Sequence, residues 1–444
     1  MPNCSGWVGA PLSSARKTVS QMAERTNQGV SLPRQRQSVT SRLFQGWGGK
    51  TALFFSYAHL SHDLTTGLVA AMLPYIRQDL GLNYFQAGLL TSAYALTAGF
   101  SQLLGGWLGD KLTRQRAMAL GLAGVGSCAI LLGLAHSYYA MLCILVGQGV
   151  LAGLYHPSAV SGLSGCFDEA NRGKAIAMHM VGGSLGFLIG PAAGALIAAR
   201  LNWHYSFIFL GMPVILASFL VLTRLKIPLL DSAARVPSSA GVTDNDNRFV
   251  GAFKVFRSLA WIVGLVIVIQ LVMGPVTSFL SLFLVDRHGV SEGAAAMWIT
   301  VVRLGGFIGS LLGGWLADRW GRRRSVLVTL AVAGPVMLML ANLPFGIILV
   351  GTFVLMGCLG NMREATMQTF LMDNTPARVR STVFGIYFGL GQEGSSLIQP
   401  FVGDIMDVTG IYSVFNFFAL VAVAVAVLAA LAIWRTRRSG VPAH

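Results

Sequence analysis

Charge is what this chain has least of. Asp, Glu, Lys and Arg make up 11% of its 444 residues, while 54% are hydrophobic; a soluble domain averages about 25% charged residues. Acids are the scarcer sign, 17 against 32 bases. So little charge excludes an ordinary water-soluble domain. A Gly-rich loop ending in Lys-Ser/Thr, the cradle for nucleotide phosphates, is missing too, which argues against ATP-driven work. The five cysteines, Cys4, Cys128, Cys143, Cys166 and Cys358, show no close pairing, and three lie inside apolar stretches. Neither a disulfide framework nor a zinc site is expected. With no catalytic constellation, cofactor or metal in view, the chain reads as a non-enzyme.

The apolar residues gather in runs of at least ~18–20, the length that spans a bilayer core. Six runs lie at roughly 52–76, 84–108, 117–135, 138–164, 175–199 and 204–224. Six more lie at roughly 258–284, 293–317, 325–343, 346–371, 380–405 and 411–434. The expected fold class is an all-α integral membrane protein with twelve transmembrane helices. The 53 glycines suit close packing of such helices. Span 7 is expected to be interrupted at Gly274-Pro275.

The net charge of +15 has its explanation here, not in nucleic-acid binding. Sorted by the loops between spans, 27 Lys and Arg fall on one side, with both termini and the central linker. Only Arg77, Arg200 and Arg287 fall on the other, and Arg303 and Arg363 lie inside spans. This asymmetry places both termini in the cytoplasm of a multi-pass protein of the inner (plasma) membrane. Residues 1–50, rich in Ser, Gln and Arg with Glu24 as the single acid, read as a disordered cytoplasmic tail or a start placed too early, with Met22 as the true start; the composition also resembles an organelle transit peptide. Residues 225–257, with Pro228, Pro237 and a polar run from Thr243 to Asn247, read as a cytoplasmic linker. They separate six-helix bundles at 51–224 and 258–434, and 435–444 form a cytoplasmic tail.

The two bundles carry related sequences. Gly105-Gly106-Trp107-Leu108-Gly109-Asp110-Lys111 returns 208 residues later as Gly313-Gly314-Trp315-Leu316-Ala317-Asp318-Arg319. At the same offset Gly81 matches Gly289, and Arg172 matches Arg380. Gly190-Pro191 through Gly194 matches Gln399-Pro400 through Gly403 with one residue of slippage. Such internal repetition marks a pseudo-two-fold membrane architecture with its site between the halves.

The repeated loop resembles the signature of the major facilitator superfamily, G-x-L-x-D-R/K-x-G-R-R/K after spans 2 and 8. The second copy matches through Gly314, Asp318, Arg319, Gly321, Arg322 and Arg323. The first, with Gly106, Asp110, Lys111 and Arg114, has Thr113 where the pattern has Gly, so a looser turn is expected. The lone acids in basic loops are candidate conformational latches. A finer resemblance is to the fosmidomycin-resistance branch, with S-H-x-x-N-D in span 1, F-H-P in span 4 and Q-V-G-G-x-x-G-x-x-x-G-P in span 5. Here His62 stands in place of the Asn and Tyr155 in place of the Phe. Gly186, Gly190, Pro191 and Gly194 in span 5, with Pro400 and Gly403 in span 11, are candidate packing residues.

Ionisable groups at bilayer depth are costly unless paired or hydrated, so each is a functional suspect. In span 1, His59 and Asp63 share a helix face at i, i+4, with His62 close by. His156 in span 4 lies at similar depth, and Glu364 occupies its place in the second half. Asp63, His59, His62, His156, Glu364 and Glu393 are the proton-coupling candidates; the histidines could equally be neutral and hydrogen-bonded in the core. His179 is expected to be structural or cavity-lining. Arg363, Arg303, Tyr155, Gln270 and Gln392 are the substrate-binding candidates. The two arginines could clamp an anion or bridge to Glu393.

The resemblance implies proton-driven export of a small polar or anionic compound by alternating access. The partners would be that substrate, protons and the lipid bilayer, for a chain acting as a monomer. An uptake symporter for an organic acid or metal chelate is the alternative. A non-transporting sensor or assembly factor on the same scaffold is a third reading.

Overall fold

The computed structural model describes residues 49–225, 227, 245–376 and 379–438. Side chains at 103–111, 169–170, 245–252, 254, 381 and 435–438 are outside the description. The expected N-terminal tail, most of the linker and the far C-terminus therefore lie outside the described residues.

All described regular structure is helical. The first half comprises α1 (Gly49–Thr66), α2 (Leu68–Leu80), α3 (Tyr84–Lys111), α4 (Arg114–Leu132), α5 (Tyr138–Cys166), α6 (Glu169–Arg200) and α7 (Trp203–Arg224). The second comprises α8 (Asn245–His288), α9 (Glu292–Trp320), α10 (Arg322–Asn342), α11 (Ile347–Asn374), α12 (Arg380–Phe388), a π-helical turn (Gly389–Glu393), α13 (Gly394–Thr409) and α14 (Ile411–Arg438). Among the described residues nine helices are each long and apolar enough to cross a membrane. The other three crossings are α3 and two broken ones: α1 with α2, and α12 with the π turn and α13.

The breaks fall elsewhere than expected. Span 7 is not interrupted: α8 runs through Gly274 and Pro275 and begins at Asn245, inside the stretch read as linker. A proline inside a packed membrane helix costs one backbone bond and leaves the helix intact. Span 1 instead breaks at Gly67, and span 11 carries the π turn. The first signature loop also differs from expectation. Gly321 takes φ 82°, but Thr113 has φ −65° and caps α4, its hydroxyl accepting the Arg116 N–H at 3.3 Å. The first turn is therefore capped by a side chain where the second uses a glycine at positive φ.

Glycine decides how closely the helices approach. In α6, Gly182, Gly186 and Gly190 lie against the carbonyls of Ser56, Leu60 and Leu64 of α1. Both series step by four residues, so one face of α6 lies directly on the backbone of α1. Any Cβ at these glycines would collide with a carbonyl oxygen. Gly194 meets Leu68 of α2, and Gly403 of α13 meets the Tyr84 backbone of α3.

The pairing repeats between halves. Helix α3 packs on α5 as α9 does on α11, and α4 packs on α7 as α10 does on α14. Gly81 and Gly289 both adopt positive φ, 61° and 63°. Arg114 donates to the Ser161 carbonyl at 3.1 Å, and Arg322 donates to that of Thr369 at 3.4 Å, each 208 residues on. The halves meet through α3 with α13, α6 with α9, and α2 with α8.

At the end away from the termini the halves are tied together. Arg77 pairs with Asp286 at 2.6 Å, and the Tyr84 hydroxyl donates to the same carboxylate. Asp407 of the second half accepts the Tyr84 and Phe85 N–H groups at 2.8 and 3.0 Å, capping α3. At the opposite end, where α4 and α10 begin, no hydrogen bond or ion pair among the described residues joins the halves. Between these ends, Thr91 donates to Gln399 at 2.7 Å.

Candidate functional site

A cavity of about 320 Å³ lies between the halves. Its polar lining is Ser184, Thr277, Asn361, Arg303 and Arg363; its apolar wall includes Phe187, Phe307 and Met356. Helix α6 supplies Ser184 and Phe187, α8 Thr277, α9 Arg303, and α11 Arg363 and Asn361. Arg363 is 5% exposed, and neither guanidinium makes an ion pair or hydrogen bond among the described residues. Arg303 lies 5.2 Å from the centre of the Phe187 ring. A buried guanidinium without a counter-charge is expensive, so such a pair is chemically suited to receive an anion.

Beside the cavity, the first half buries a cluster of imidazoles around one carboxylate. His59 Nε2 lies 3.2 Å from Asp63 Oδ2, and His62 Nδ1 lies 2.7 Å from Asp63 Oδ1. His59 Nδ1 faces the His179 carbonyl at 2.9 Å, and His179 Nδ1 faces the Phe55 carbonyl at 3.0 Å. The two rings stack at 4.2 Å, so α1 and α6 are joined reciprocally. Tyr155 stacks on His62 at 4.7 Å, and His156 sits edge-on to both His59 and His62. The (i, i+4) spacing and the α1–α6 glycine contact together bring these groups to one point.

In the second half, Glu364 is held by three neutral donors. Gln270 Nε2 and the Tyr387 hydroxyl donate to one oxygen at 2.9 and 3.0 Å, and Gln368 donates to the other at 3.0 Å. Glu393, in the π turn, abuts Gly99 of α3, and its Oε2 is buried without a partner.

The expected residues thus divide. His59, His62, Asp63 and His156 come together, while Glu364 and Glu393 stand apart in the other half. Of the substrate-binding candidates, Arg303 and Arg363 line the cavity. Tyr155 belongs to the imidazole cluster, Gln270 to the Glu364 network, and Gln392 is exposed. No bridge joins Arg363 to Glu393 among the described contacts. In the second signature loop Arg322 pairs with Asp373 of its own half, while Asp318 is exposed. Arg319 and Arg323 lie over Trp315 and Trp261, also within that half. The side chains of Gly106, Asp110 and Lys111 lie outside the described residues. Sequence reasoning missed Phe187, Ser184, Thr277, Asn361 and Tyr387. Tyr387 carried a usable signal, being a polar ring inside an apolar span; the others look like ordinary span residues.

Comparison with known proteins agrees with this architecture. The chain is 23% identical to the fosmidomycin resistance protein of Escherichia coli (strain K12), over 82% of this chain and 88% of that one. It is 26% identical to a probable 4-methylmuconolactone transporter of Cupriavidus pinatubonensis, over 87% of this chain and 90% of that one. Its fold matches the structure of a bacterial homologue of the human lysosomal transporter Spinster, in an inward-facing and occupied conformation. The TM-score is 0.69 at 18% identity, covering 89% of this chain and 97% of that one. Residues 55–400 and 284–443 match the Major Facilitator Superfamily, and the chain belongs to that family of multi-pass membrane transporters.

Proposed function

We propose that this transporter exports a small anionic compound with an apolar body, in exchange for protons, across the plasma membrane. The observation that carries this reading is the pair of buried guanidiniums, Arg303 and Arg363, which line one cavity between the halves and make no hydrogen bond or ion pair among the described residues. Two cations that stay charged at any working pH favour a carboxylate or phosphonate, and Phe187, Phe307 and Met356 favour a hydrophobic remainder. The 27 to 3 distribution of basic residues orients both termini to the cytoplasm. In that orientation the end tied by Arg77, Asp286 and Asp407 faces outward, and the end where α4 and α10 begin, with no hydrogen bond or ion pair between the halves among the described residues, faces the cytoplasm, the side from which an exported compound enters. The resistance protein among the relatives favours export.

Protonation of the Asp63 cluster, with Glu393 as a second ionisable site, supplies the coupling. Asp63 is the carboxylate whose charge acts on Arg303, so neutralising it changes how strongly Arg303 attracts the anion. The 4-methylmuconolactone transporter among the relatives keeps uptake as the second reading.

Expression in a sensitised host separates the two directions. Export raises tolerance and lowers accumulation of an inhibitory organic acid; uptake does the reverse. Arg363→Lys keeps the charge but loses the planar fork. It should weaken transport of the acid roughly tenfold or more, the scale of one lost charge-assisted bond, and spare neutral compounds. Unchanged handling of anions by a well-expressed Arg363→Lys protein contradicts the anion site.

A further inference from the structure

The imidazole cluster contains four histidines and one carboxylate, and hydrogen-bond chemistry distinguishes what each can do. A carbonyl oxygen only accepts, so His59 Nδ1, 2.9 Å from the His179 carbonyl, must carry a proton. The remaining nitrogen, Nε2, faces Asp63 Oδ2 at 3.2 Å. If His59 were neutral and Asp63 ionised, two lone pairs would confront each other across this gap. A hydrogen bond there requires one additional proton, on Nε2 or on Oδ2. His62 differs. Its Nδ1 meets the other oxygen, Oδ1, at 2.7 Å, while its Nε2 is buried with no partner. A bare lone pair at Nε2 is tolerated in a buried site more readily than an orphaned N–H. His62 is therefore neutral, with its proton on Nδ1.

We infer that the coupling proton is held between His59 Nε2 and Asp63 Oδ2, and that His62 is a fixed neutral donor that positions Asp63 without exchanging a proton. This deepens the proposed proton coupling and rests on it. The exchange is balanced: the shared proton passes to water, leaving neutral His59 with Nδ1–H still bonded to the His179 carbonyl and Asp63 as a carboxylate. His62 keeps its Nδ1–H bond to Oδ1 in both states. His179 is held in turn by the Phe55 carbonyl, which orients the acceptor of the His59 bond. The other titratable or charged groups facing the pair are Tyr155 and His156 of α5, Tyr94 of α3 and Arg303 of α9. His156, half-buried, sits edge-on to His59 at 5.5 Å.

The inference is tested without any substrate, on full-length protein in lipid nanodiscs with ¹⁵N-labelled histidine. Nuclear magnetic resonance reads the protonation of each ring nitrogen across the histidine range, roughly pH 5–8. His59 is expected to be doubly protonated at the low end and to lose the Nε2 proton as pH rises, keeping Nδ1–H. His62 is expected to show the neutral Nδ1–H form throughout. His62→Asn, whose amide N–H can replace Nδ1–H, should leave the His59 transition in place, whereas Asp63→Asn should abolish it. A His62 that titrates while His59 does not overturns the inference. So does a neutral His59 protonated at Nε2, or a His59 that never releases its proton. If Asp63→Asn fails to fold, the wild-type and His62→Asn spectra decide alone. Because no transport is measured, failure here leaves the anion-export reading standing, and failure of that reading leaves these protonation states intact.

Discussion

At the residue scale, two carboxylates at bilayer depth are held in opposite ways. Asp63 is surrounded by groups that can themselves gain or lose a proton. Glu364 is satisfied by an amide, a phenol and a second amide, which gain or lose no proton near neutral pH. Both oxygens of Glu364 are taken up by these donors, and the residue lies next in sequence to Arg363. The expected consequence is a division of labour. Asp63→Asn should abolish substrate-driven proton movement in proteoliposomes while substrate binding persists. Glu364→Gln should keep proton movement, with a loss of folded yield because its amide would face the Gln368 donor. If Glu364→Gln and not Asp63→Asn stops proton movement, the assignment of the two groups is reversed. From sequence both were intramembrane acids of equal standing. Their difference lies in partners contributed by three separate elements, α8, α11 and α12, which no local pattern displays.

At the scale of elements, what was legible followed from period and composition. Span number, the offset of 208 residues and the glycine face of span 5 are carried by residues four apart or by long apolar runs. The breaks were not legible in the same way. Gly274-Pro275 looks like a break and is none, because neighbouring helices support the turn; Gly67 and Gly389–Glu393 look ordinary and are the breaks. A π turn arises from packing against partners, here Gln270 beside Gly391, not from local propensity. The far-end tie was likewise invisible, since Asp407 and Tyr84 are 323 residues apart. Asp407 caps α3 across the halves, and a lost cap costs about 1 kcal/mol, roughly a fivefold shift in a two-state equilibrium. Asp407→Ala should therefore populate a state separated at this end. Electron-resonance distances between spin labels at exposed Gln78 and Val408, in a cysteine-free background, should broaden toward longer values. An unchanged distribution would show that Asp407 does not hold the ends together.

At the scale of the molecule, two repeated bundles both line the cavity that holds Arg303 and Arg363, and chemistry is distributed unequally between them. The first half holds the buried His59–Asp63 pair proposed to exchange the proton, and the second holds both cavity guanidiniums on α9 and α11. Asp63 and Arg303, one from each half, link the two charges. On the proposed mechanism, motion of one bundle against the other would change that link and so couple proton release to anion binding. Of the signature loops read as latches, the described side chains Arg114 and Arg322 bond within their own halves, Arg114 to Ser161 and Arg322 to Thr369 and Asp373. A latch between halves at that end would belong to the conformation in which it closes.

The measurement that bears most directly on this account is proton flux in proteoliposomes carrying a pH-sensitive dye, challenged with matched anionic and neutral organic compounds. The account predicts that an anionic compound moves protons in the direction opposite to its own, and that Arg303→Ala and Arg363→Lys suppress this flux while folded protein is retained. Protons moving with the compound would replace exchange by symport. Flux elicited only by neutral or cationic compounds, and untouched by either arginine substitution, would contradict the central claim.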